Sequence, residues 1–182
     1  MFLRSISHCA FGNQDLHLEL RNRMCNFLKT LLQNPALRTS IEWIAGLLFV
    51  GAHNDALSLD EYVDYASVPG VWGGRGEAIL CSKVLNEPII FIFPMNGKKF
   101  AEIILPTDGW QVINIYNYLY LQQKIYFYFI IIKSSINRKK VLIEDDNYDG
   151  LFSLTIDGVV LNEKTIAIEY NGINHYEAIV FK

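Results

Sequence analysis

From position 14 to 33 the apolar residues Leu16, Leu20, Met24, Phe27, Leu28 and Leu31 recur at steps of three and four, the spacing that puts one stripe on one side of an α-helix. Asn13 stands where an amino-terminal cap is expected, and Asn34-Pro35 ends the periodic run. A shorter helical stretch is predicted over about 36 to 49. "SLDE" at 58 to 61 has the form of a capping box that opens another helix, stopped by "VPG" at 68 to 70. "VWGGRGEAILCSKVLNEPIIFIF" then predicts a Gly-rich turn, a helix over about 76 to 86 and a buried strand from Pro88 to Phe93, with "KFAEIIL" at 99 to 105 as its partner. Toward the carboxyl end, "TIAIEYNGINHYEAIVF" predicts two strands joined through Asn171-Gly172. Helices come first and strands dominate the end, so the expected class is α+β, or mixed α/β, with helices packed around a small central sheet.

One stretch departs from this pattern. Between Ile113 and Lys140, 21 of 28 residues are Ile, Tyr, Phe, Asn or Lys. These are residues that AT-rich codons encode, so an inserted or translated non-coding segment is one reading. The other is a hydrophobic strand pair with "IYFYFIII" at 125 to 132 in the core. A membrane span is the weaker expectation, because Asn114, Asn117, Gln122, Gln123 and Lys124 interrupt the apolar run.

Composition narrows the classes. The chain has 182 residues, 51% of them hydrophobic and 19% charged, which fits one folded domain spanning 1 to 182. A net charge of -3 with no basic face beyond "NRKK" at 137 to 140 argues against nucleic acid as a partner. Cys9, Cys25 and Cys81 are far apart with no CxxC pair, so neither a zinc site nor a disulfide framework is expected, and a reducing intracellular, cytoplasmic setting follows. His8, His17 and His53 lack metal-ligand spacing and are expected at the surface or in caps. No secretion signal is read at the amino terminus. Neither a metal nor another cofactor is expected.

Three stretches together resemble the ovarian tumour (OTU) domain family of papain-like cysteine proteases, which cleave ubiquitin from proteins. They are "FLRSISHCAFGNQDLHLELRNRMCNFL" at 2 to 28, "YVDYASVPGVWGGRGEAILCSKVLNEPIIFI" at 62 to 92 and "YNGINHYEAIV" at 170 to 180, in the family's order. The resemblance implies an OTU-like cysteine protease fold and ubiquitin or a ubiquitin-like modifier as the partner. It implies that His175 is the general base and that Glu177, two residues on and on the same strand face, orients its ring. Glu177 is one methylene longer than the Asp or Asn of the family pattern. Trp72, Gly73, Gly74 and Glu77 form the internal motif, with Trp72 offering a packing surface and Glu77 positioning the turn and helix.

The departure is at the nucleophile. Aligning Arg4-Ser5-Ile6-Ser7 with the family motif puts Met1 where the catalytic cysteine belongs, and no Asp-Gly-Asn precedes it. A thioether cannot form a thiolate. Cys9 lies about 12 Å further along a helix, beyond the reach of a base partner, and is expected, like Cys25 and Cys81, as a structural thiol. The chain is therefore expected to be inactive, either as an amino-terminally truncated gene product or as a pseudoenzyme that binds ubiquitin without cutting it. A membrane-associated structural protein is the alternative.

Overall fold

A computed structural model describes residues 1–48, 57–95, 98–106, 140–143, 155–156, 159–161, 165–171 and 175–179. Five α-helices come first: α1 (Phe2–Phe11), α2 (His17–Gln33), α3 (Pro35–Ile41), α4 (Leu59–Ser67) and α5 (Arg75–Leu85), with a 3-10 segment at Glu42–Leu47 after α3. The strands follow as β1 (Ile89–Met95), β2 (Lys98–Ile104), β3 (Lys140–Ile143), β4 (Thr155–Ile156), β5 (Val159–Val160), β6 (Ile166–Tyr170) and β7 (Tyr176–Ile179). The arrangement is α+β, as the order of periodicities predicts.

Several boundaries follow local chemistry. Ser58 accepts from the Glu61 amide while the Glu61 carboxylate accepts from Ser58 N–H at 2.9 Å, so the capping box forms as read. Asn34 does more than end α2: its carboxamide oxygen accepts from the amides of Ala36 and Leu37, which caps α3, and Pro35 occupies that helix's first turn. Asn13, expected as the cap of α2, instead accepts from the Asp15 amide at 3.0 Å in a local turn. The cap position falls to Leu16, which has no side chain able to cap. The helix therefore starts three residues later than the periodicity suggests.

The main sheet has strand order β3-β2-β1-β6-β7. β1 pairs antiparallel with β2 and parallel with β6, and β6 turns back antiparallel onto β7 with Tyr170 opposite Tyr176. β4 and β5 form a separate two-stranded ribbon. Helices α1 and α5 lie against the sheet, α1 over β6 and β7 and α5 over β1 and β2, while α2 packs on α1, α3, α4 and α5.

The core between helices and sheet gathers Phe2, Ile6, Met24, Leu28, Ile79 and Leu80 from the helices with Ile89, Phe91, Ile166, Ile168 and Tyr176 from the strands. Ile90, Ile92, Ile103 and Ala167 point to the other face of the sheet and are also buried. Burial on both faces explains why β1 reads as an unbroken apolar run rather than an alternating one. Residues 107 to 139 lie outside the described residues, and with them all but the last residue of the atypical segment at 113 to 140, its expected strand at 125 to 132 included. Among the described residues no helix is long and apolar enough to cross a membrane.

Candidate functional site

The late strand places the histidine. Along β7 the side chains alternate, so Tyr176 turns inward and is 7% exposed, while His175 and Glu177 take the opposite side. Asn171 fixes the approach to the strand, because its side-chain oxygen accepts from His175 N–H at 3.0 Å and its own N–H donates to the His175 carbonyl at 3.0 Å. The His175 ring is part exposed, and its Nε2 stands 3.8 Å from Glu177 Oε1. That separation is an ion-pair distance but exceeds a hydrogen bond.

Helix α1 meets this strand at its amino end. Phe2 packs edge-on against Tyr176 with ring centroids 5.1 Å apart, and Ser5 Oγ donates to the Tyr176 carbonyl at 3.0 Å from a buried position. These two contacts dock the first turn of α1 against β7. A cavity of about 320 Å³ opens where they meet, lined among others by Met1, Arg4, His8 and Gln14 on one side and His175 and Glu177 on the other. Met1 is the amino-terminal cap residue of α1, and its carbonyl accepts from the amides of Arg4 and Ser5.

Sequence reading places Met1, His175 and Glu177 but misses the rest of this lining. His8, expected at the surface or in a cap, borders the cavity one turn along α1 from Arg4. Its signal was available: His8 is four residues after Arg4, the spacing at which helix side chains share a face. His17 is half-buried and bonds the Gln14 carbonyl through Nδ1 at 2.8 Å, and His53 lies outside the described residues.

The motif at 72 to 77 meets α1 through Phe2. Glu77, 2% exposed, accepts from Gly74 N–H at 2.8 Å and from the hydroxyl of Tyr62, joining the start of α5 to α4. Burial, and then the Glu77 charge beside it, push the Tyr62 phenol upward, so it remains a donor. Gly73 is required by close approach: a Cβ there would lie 2.4 Å from the Phe2 ring. Trp72 departs from expectation. It is 41% exposed, so the packing surface assigned to it is carried instead by Gly73 against Phe2. Arg21 completes this scaffold by donating to the carbonyls of Ala66 and Val71, which holds the turn after α4.

The thiols are placed as structural groups. Cys81 is fully buried in α5 with its sulfur 3.9 Å from the Met24 sulfur, and Cys25 is buried in α2. Cys9 is half-buried and donates to the Ala167 carbonyl at 3.3 Å. Burial is the largest cause raising all three above the ordinary thiol value of 9.0. None is the electropositive, exposed thiol that forms a thiolate near neutrality.

The direction of these shifts sets a pH dependence. An acid whose pKa is raised by folding holds its proton more tightly in the native state, so its contribution is complete below the unfolded value and is lost as pH climbs through the folded one. The urea midpoint is therefore expected to fall as pH rises above 9.0. Labelling with dithionitrobenzoate at pH 8 should be slow for Cys25 and Cys81 until urea is added. Equal labelling rates for all three thiols in native and unfolded chain would contradict this placement.

Among the described residues no group of three or more His, Cys, Asp or Glu side chains could hold a metal ion. What the site offers is two imidazoles, a guanidinium, a nearby carboxylate and a thioether around one opening. It can accept protons and bind charge.

No family model matches this chain, and no curated protein does. Among solved structures, the chain is similar to that of the OTUD1 OTU domain at 16% sequence identity, over 97% of this chain and 76% of that one, with a TM-score of 0.46.

Proposed function

We propose that the chain is an OTU-like, deubiquitinase-type domain, spanning 1 to 182 with the 113 to 140 segment as an insertion, that receives ubiquitin or a ubiquitin-like modifier beside α1 and β7 inside the cell. The supporting observation is the convergence of Met1 and the first turns of α1 with His175 and Glu177 around one cavity, from positions at opposite ends of the sequence. Helix start and late-strand histidine are the two places that the motif resemblance assigns to the nucleophile and its base.

His175 takes the position of general base and Glu177 that of the residue orienting it. The cavity side of the helix start carries a thioether, which has no proton to surrender and no lone pair basic enough to attack an amide carbonyl. Among the described residues no thiol lines the cavity for the base to activate, so this chain binds the modifier and leaves the isopeptide bond intact. Trp72, Gly73, Gly74 and Glu77 serve as scaffold, with Glu77 fixing the start of α5 and Gly73 admitting Phe2 beneath the turn.

Incubation of the 182-residue chain with ubiquitin-rhodamine is expected to release no fluorophore above the uncatalysed rate. Release that requires a reductant and stops on alkylation with N-ethylmaleimide would overturn this reading. Titration with ubiquitin followed by heteronuclear NMR tests the binding half, with shifts expected for residues of α1 and β7.

A further inference from the structure

We propose that the cavity between α1 and β7 selects a free peptide carboxylate over an amide-linked carboxyl terminus. The inference deepens the reading above and rests on it for the identity of the protein that brings the tail. Its own basis is the charge of the lining. Arg4, a permanent cation, and the imidazoles of His8 and His175 border a space of about 320 Å³, together with the carboxamide of Gln14. Among the described residues Glu177 is the one acid lining it, is 68% exposed, and stands 3.8 Å from the His175 ring. Among the described residues neither Arg4 nor His8 has a side-chain hydrogen bond or ion pair that would occupy it.

A space of this size lies near the lower end of small-ligand pockets, about 300–1,000 Å³, and admits the end of a chain rather than a folded surface. An isopeptide carbonyl is neutral and offers acceptor lone pairs only. A terminal carboxylate carries a full charge, and its two oxygens match the fork of a guanidinium. Where no thiol consumes the linked form, the Arg4 guanidinium favours the hydrolysed one. The ligand class is therefore a polypeptide ending in an unblocked carboxylate.

The test is calorimetric titration of the 182-residue chain with three probes: ubiquitin with its free terminus, ubiquitin whose terminal carboxylate has been converted to a primary amide, and an acetylated peptide acid copying the last five residues of ubiquitin. The free terminus is expected to bind about tenfold tighter than the amide, the worth of one charge-assisted hydrogen bond. Arg4→Gln is expected to bring the two within about twofold, with an unchanged thermal midpoint showing that this exposed position leaves the fold intact. Equal affinity for acid and amide overturns the carboxylate inference and leaves the ubiquitin reading standing. Arg4-dependent binding of the peptide acid without binding of either ubiquitin supports the carboxylate inference and overturns the ubiquitin reading. A preference that survives Arg4→Gln overturns its assignment to this cavity, and no binding of any probe overturns both.

Discussion

Phe2→Ala is expected to cost about 3–5 kcal/mol of folding stability, the range for truncating a buried aromatic side chain. Phe2 is 2% exposed and packs against both β7 and the turn at 72 to 74. One edge of its ring meets Tyr176 on β7, and its Cδ1 lies 2.4 Å from where a Cβ on Gly73 would stand. Removing the ring leaves a void under the turn at 72 to 74 and frees the first turn of α1 to move away from His175. Urea unfolding measures the stability term, and the NMR shifts of His175 report the local one. A loss below about 1 kcal/mol would show that the helix is held to the strand by other contacts, with Ser5 Oγ the first to examine.

Glu77→Ala is expected to be nearly as damaging, at about 2–4 kcal/mol, because two separate costs fall on one side chain. The first is the capping interaction with Gly74 N–H at the start of α5, a loss of about 1 kcal/mol. The second is the Tyr62 hydroxyl, left in the core without its acceptor at about 1–3 kcal/mol. Tyr62→Phe separates the two costs by removing the hydroxyl and keeping the cap. A double-mutant cycle between these positions should show coupling of about 1–3 kcal/mol. A coupling indistinguishable from zero would mean that carboxylate and phenol do not depend on one another in solution.

Legibility in the sequence followed the range of the interactions involved. Helices α2, α4 and α5, the strands β1 and β2, and the β6 and β7 pair all show in periodicity, capping residues and turn chemistry, because these act over a few residues. The cap at Asn34 was visible only as a stop, since the same carboxamide that breaks one helix begins the next. The parallel register of Ile89 beside Ile166 was not legible, because no local pattern encodes which distant strand a buried apolar run will join. At the site, His175 and Glu177 could be placed on one strand face from alternation alone. Arg4, His8 and Gln14 could not be placed against them without the fold. Trp72 shows the opposite failure: a large apolar side chain beside two glycines suggests packing, yet the glycine next to it is the residue that receives a ring, and the indole remains 41% exposed.

Ser5 and Tyr176 are joined across 171 positions of sequence. At about 5–20 residues per second, a ribosome needs roughly 10–30 s to make the second after the first. Throughout that interval the amino-terminal helix lacks β7, and the apolar side of Phe2 and Ile6 lacks part of its cover. The opening between α1 and β7 thus forms only once β7 has been made, and a nascent chain stalled anywhere before β7 presents the helix without the histidine.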